Sequence, residues 1–132
     1  GIDLSGSVTN KQLDKMISLV QNLIQQHPGV QVDLLAGDTK QSFHGTFTSS
    51  NVEDLFKIKM QGGGGTSHKW YRTWVEKNEW NGNIMVLMTD AYSDIERVWD
   101  DWNPDFNTIF VYDKTMKKGM DKYGTVIIMD EL

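Results

Sequence analysis

The stretch NIMVLMTD, residues 83–90, is the feature that most restricts the fold. It is an unbroken apolar run of strand length, entered from an Asn-Gly pair and closed by an aspartate. A strand with one wet face alternates apolar and polar residues. A continuous run instead suits a strand covered on both faces, the usual state of a central strand in a parallel sheet. Parallel neighbours cannot be joined by a tight hairpin, so helical crossovers must flank this strand.

The rest of the chain supplies them. From Thr9 to His27 the apolar residues Leu13, Met16, Ile17, Val20, Leu23 and Ile24 recur at helical spacing. Thr9 and Gln12 have capping-box spacing, and Pro28-Gly29 stops the helix. Residues 30–36 (VQVDLLA) read as a strand, and 42–48 (SFHGTFT) as a short, more polar one at an edge. A helical turn around 52–56 follows, then the glycine run Gly62–Gly65. Trp70, Trp74 and Val75 fall on one face of a helix ending near Glu79. Ser93 and Glu96 are spaced to cap another, whose stripe is Ile95, Val98, Trp99 and Trp102, with Pro104 just beyond it. Residues 108–113 and 125–130 complete the strands. The expected fold is a single α/β domain over 1–132. It is doubly wound, with a mostly parallel sheet, helices on both faces and one short antiparallel edge strand. The tryptophans are expected to pack on that sheet.

Composition narrows the function. The net charge of −5 argues against a nucleic-acid groove, because phosphate binding needs a basic stripe, so no nucleic-acid partner is expected. Lys114, Lys117, Lys118 and Lys122 cluster, but Asp113 and Asp121 dilute them into a solvated face. Without cysteine there is no disulfide or thiolate zinc site, which fits a reducing, cytoplasmic setting. No apolar run is long enough to cross a bilayer, so no membrane partner is expected either. Only two residues precede Asp3, so the first strand is mostly missing or very short; the chain is expected to be cut from a longer protein or processed.

Ligands of open α/β sheets bind outside the carboxyl ends of the strands, and three segments should lie there. DLSGS places Asp3, Ser5 and Ser7 at alternate positions, which in an extended turn face one point. The glycine run allows a close backbone approach that would deliver the Thr66 hydroxyl. Asp90 closes the apolar strand. Two carboxylates with neutral hydroxyls form a hard-oxygen set suited to Mg²⁺ or Mn²⁺.

Asp-x-Ser-x-Ser, a threonine after a glycine-rich loop, and Thr-Asp closing an apolar strand together resemble the metal-ion-dependent adhesion site of von Willebrand factor A (VWA) domains. The GGGGT run and the closing KYGTVIIMDEL are most similar to a bacterial and phage VWA-like family associated with metal-dependent peptidases. The resemblance implies direct ligation by Ser5 and Ser7, with Asp3 and Asp90 acting directly or through water. Thr66 would join or leave with conformational state, and an acidic side chain of a partner protein would complete the shell. It also points to a MoxR-type AAA+ ATPase as a partner. Two positions depart from the pattern: Ala91 stands where the family has glycine, and Ser67-His68 where relatives carry an acid.

The rival reading is a metal-dependent hydrolase, a peptidase, with His68 as the general base. No His-Glu-x-x-His occurs, and His27, at a helix end, and His44, on an exposed strand, have ordinary surface roles. Asp94 lies close enough to Asp90 to line the rim, but a place at the start of the next helix makes it a cap. A VWA fold with a vestigial site is the third reading.

Overall fold

The computed structural model describes residues 1–4, 6, 9–57 and 64–129. The chain packs as two compact units, Ile2–Gly65 and Thr66–Leu132, the second including Gly1.

In the first unit, β1 (Ile2–Asp3) runs parallel to β2 (Val32–Gly37), pairing Ile2 with Ala36 and Asp3 with Gly37. β3 (Gln41–Phe47) returns antiparallel on β2, as the edge strand expected from its polarity. Leu34, Leu35 and Ala36 are buried at consecutive positions, so β2 is covered on both faces. Helix α1 (Asn10–Gln26) begins as its sequence dictates. Thr9 Oγ1 accepts from the Gln12 N–H at 3.1 Å, and the Gln12 side chain accepts from the Thr9 N–H at 2.9 Å. Met16, Ile17, Val20 and Ile24 form the buried stripe. Leu23, expected in that stripe, is 42% exposed, because it falls a turn edge away from the line through Met16, Val20 and Ile24. The helix stops at His27, whose N–H caps the Leu23 and Ile24 carbonyls before the Pro28-Gly29 turn. α1 packs on a 3₁₀ helix (Val52–Lys57) through that helix's buried Val52 and Leu55.

The second unit holds α2 (Lys69–Lys77), β4 (Ile84–Met88), α3 (Ile95–Trp102), β5 (Asn107–Tyr112) and β6 (Thr125–Ile128). Both strand pairs are parallel, with Leu87 opposite Phe110 and Val111 opposite Ile127. Gly1 extends the ladder on β4: its nitrogen donates to Val86 and its carbonyl accepts from Met88. The apolar run ends as strand at Met88, leaving Thr89 and Asp90 in the loop beyond it. Three of the four described strand pairings are parallel, and the α/β class is as expected.

Two helical faces differ from expectation. α2 buries Tyr71 and Val75, four residues apart, while Trp70 and Trp74 are half-buried and Trp70 stacks on Tyr71 with ring centroids 3.7 Å apart. In α3, Ile95, Val98 and Trp99 are buried and Trp102 lies at the margin. Asn103 ends α3 in the left-handed conformation (φ 45°), with Pro104 behind it. Trp99 does pack on the sheet, edge-to-face with Phe110 of β5; Trp80 and Trp102 pack edge-to-face on Phe106. Among the described residues, no helix is long and apolar enough to cross a membrane.

Candidate metal centre

Asp3 is the last residue of β1 and is 2% exposed, so its carboxylate lies at the carboxyl end of a parallel strand. Ser5 and Ser7 lie outside the described residues, as do Gly62 and Gly63. Between the two serines, Gly6 donates its N–H to the Gly64 carbonyl at 3.3 Å. The Asp-x-Ser-x-Ser loop and the glycine run therefore meet inside the first unit. A side chain at Gly64 would also be crowded: its Cβ would stand 2.9 Å from Asp38 Oδ2. At this position glycine leaves room for the Asp38 carboxylate.

Asp38 was not among the expected site residues. It follows β2 as Asp90 follows β4, so an aspartate closing an apolar strand was the available signal. Backbone N–H groups, that of Thr39 foremost and those of Lys40 and Gly64 after partial desolvation, hold its carboxyl below the usual carboxylate range. A depressed folded-state pKa stabilises above the unfolded value near 3.8 and is lost as pH falls through the lower folded value. Wild type should therefore lose stability more steeply than Asp38→Asn as pH falls below the unfolded value near 3.8. Denaturant unfolding across that window reads the difference; identical slopes would refute it.

In the second unit, Thr66 is half-buried and Asp90 is 8% exposed. Asp90 is fixed from two sides: Oδ1 accepts the Tyr92 N–H at 3.1 Å, and its carbonyl accepts the Lys117 N–H at 2.7 Å. The Asp90 loop is thus tied to the lysine-bearing loop after β5. That loop is less of a free solvated face than its charges suggested, since Lys117 Nζ also pairs with Glu96 at 2.6 Å. Glu96 is consequently not the reciprocal half of a capping box at α3.

Ala91 adopts φ 66°, the left-handed conformation that glycine takes without strain, and is fully buried. The departure from the family pattern therefore keeps the backbone shape that glycine would give. An alanine there is strained by about 1–2 kcal/mol. In Ala91→Gly, relief of that strain is offset by a lost buried methyl, about 0.8 kcal/mol, and by the greater freedom of unfolded glycine, about 0.4–1 kcal/mol. Ala91→Gly should fall within about 1 kcal/mol of wild type in chemical denaturation. Ala91→Val, β-branched at positive φ, should be clearly destabilised.

His27, at the end of α1, and His44, exposed on β3, lie where the sequence places them, but His68 and Asp94 do not. His68, the general base of the rival reading, is 1% exposed, stacks on Tyr71 at 5.5 Å and has Nδ1 within 2.7 Å of Ser93 Oγ. A general base must reach the water it activates, and this ring is packed inside the second unit. Asp94 stands at the start of α3 but makes no side-chain cap there. Its carboxylate accepts the His68 N–H and the Ser67 hydroxyl, both at 2.8 Å, so it caps α2 instead. Ser93 Oγ takes the Ile95 N–H at 3.1 Å. His44, on β3, lies 3.5 Å from Asp33.

Among the described residues, no three His, Cys, Asp or Glu side chains gather to hold a metal. The expected donor set has only two carboxylates, Asp3 and Asp90, both almost buried at strand ends, with the rest hydroxyls. Carboxylates and hydroxyls are oxygen donors, and as residue types they fit a hard cation such as Mg²⁺ in chemistry.

Comparison with known proteins gives three findings. No curated protein matches the sequence. A solved structure described as an uncharacterized membrane spanning protein from Vibrio fischeri is 17% identical, with a TM-score of 0.41 over 84% of this chain and 67% of that one. The family described as VWA-like domain (DUF2201) matches residues 1–130. With that match running through the Asp3 loop, the glycine run and the Asp90 loop alike, the chain belongs to the VWA-like domain family DUF2201.

Proposed function

We propose that this VWA-like domain is a protein-interaction module that works through a divalent cation, Mg²⁺ or Mn²⁺. Asp3, Ser5, Ser7, Thr66 and Asp90 would hold the ion, and an acidic side chain of the partner protein would complete its shell. The observation that carries the reading is that Asp3, 2% exposed, is the last residue of one parallel strand and Asp90, 8% exposed, lies two residues beyond the carboxyl end of another. With few negative ligands the ion stays electrophilic, which is the chemistry it supplies toward an incoming carboxylate. The protein's own part is to fix the donors: Asp90 by the Tyr92 and Lys117 N–H groups, and the Asp3 loop by the Gly6–Gly64 bond. A MoxR-type AAA+ ATPase bearing an exposed Glu or Asp is the partner class we propose. The burial of His68 weighs toward binding and away from hydrolysis.

Thermal unfolding in EDTA and then in Mg²⁺, Mn²⁺ or Ca²⁺, beside Asp3→Ala, tests this. A cation at about a hundred times its Kd, bound only by the folded chain, adds about 2.7 kcal/mol. That gain should appear with Mn²⁺ or Mg²⁺ in wild type and vanish in Asp3→Ala. No shift at millimolar metal, or an equal shift in Asp3→Ala, would overturn the proposal.

A further inference from the structure

The two candidate ligands of the second unit, Thr66 and Asp90, lie 24 positions apart in the chain. Residues one and two positions after Thr66 are bonded to residues three and four positions after Asp90. Ser67 Oγ donates to Asp94 Oδ2 at 2.8 Å, and the His68 N–H donates to Asp94 Oδ1 at 2.8 Å. His68 Nδ1 and Ser93 Oγ share a hydrogen bond of 2.7 Å, and Ser93 Oγ also accepts the Ile95 N–H. The cluster is well shielded: His68 is 1% exposed and the Asp94 side chain 16%. Charge-assisted bonds of this length in a shielded setting are among the stronger ones in proteins.

On the reading given under Proposed function, we propose that Asp94 and His68 are positioning residues for the metal site. They clamp the segment carrying Thr66 to the segment carrying Asp90, so that the two donors keep one spacing. Neither residue touches the ion. Asp94 acts on Thr66 through Ser67 and the His68 backbone. His68 acts on the Asp90 loop through Ser93. Two features make this more than a pair of helix caps. The Asp94 carboxylate serves the start of α2 rather than that of its own helix, and the His68 side chain reaches the residue that caps α3. Outer partners that orient metal ligands typically contribute about 10–100-fold to affinity.

The test is Mn²⁺ affinity, measured by titration calorimetry or by paramagnetic resonance, well below the unfolding temperature of every variant. Asp94→Ala is expected to raise the Mn²⁺ Kd about tenfold. Ser93→Ala, which breaks the His68 link together with the Ile95 cap, should raise it in the same direction. Asp94→Asn keeps an acceptor oxygen for the His68 N–H but loses the charge and the second acceptor, and should fall between wild type and Asp94→Ala. Phe110→Leu, a core change on β5, should lower Tm and leave Kd alone. Thr66→Ala should weaken binding in wild type yet add little in Asp94→Ala, because the clamp that presents Thr66 is already gone. If Asp94→Ala and Ser93→Ala lower Tm but leave the Mn²⁺ Kd unchanged, the cluster is structural only and the positioning role is overturned. If the wild-type chain binds no Mn²⁺, the metal reading itself fails and this role falls with it.

Discussion

Gly124→Ala is expected to destabilise the chain by about 3 kcal/mol, the upper end of what forced overpacking does. Gly124 precedes β6, whose first residue, Thr125, pairs with Ile109. A Cβ at position 124 would stand 2.2 Å from the Thr108 carbonyl oxygen and 3.0 Å from its carbon. The clash is with backbone, which cannot swing aside as a side chain can. Either β6 moves off β5 or the ladder between them is lost. In a domain this size, 3 kcal/mol corresponds to a fall in Tm of about 10 °C, readable by calorimetry. Gly29→Ala is the control: a Cβ there meets nothing within 4 Å, and its effect should lie within about 0.5 kcal/mol. Equal, small effects at both positions would refute the close approach of the two strands.

Trp99→Ala should be at least as damaging, at about 4 kcal/mol. Trp99 is 3% exposed and holds α3 to β5 in two ways. Its ring packs edge-to-face with Trp102 and Phe110, at centroid distances of 5.1 and 6.3 Å. Its indole N–H donates to Thr108 Oγ1 at 3.2 Å, a hydroxyl that is itself buried. Trp99→Phe separates the two contributions. It keeps most of the apolar contact but removes the donor, and should lose about 1–2 kcal/mol. Denaturant midpoints of the two variants give the partition. A Trp99→Phe loss as large as that of Trp99→Ala would place the stability in the hydrogen bond instead of the ring.

Wherever the governing interactions are local, the sequence was legible. The α1 capping box involves residues three apart, and the helix stop is His27 followed by Pro-Gly; both occur as read. The apolar runs within β2 and β4 marked those strands for the same reason, since a strand covered on both faces carries few polar residues. The carboxylates were legible too, because Asp3 and Asp90 each stand at the end of a recognisable strand. What failed was any choice among possible partners. Asp94 and Ser93 looked like the start of one helix, yet Asp94 caps another 26 residues away in sequence and Glu96 pairs with Lys117. A carboxylate takes whichever donor the packing brings within reach, and sequence spacing reports only the local candidates.

By itself, then, the sequence determined the order of elements, the parallel character of the strands and the oxygen chemistry at their ends. Those follow from periodicity, capping and residue type. Only the tertiary structure decided which face of α2 is buried, that Ala91 holds a glycine-like backbone, that Asp38 faces Gly64, and that His68 is interior. Each of these depends on a neighbour distant in the chain. The free energy that selects them is burial and hydrogen bonding across that distance, which no short stretch of sequence contains.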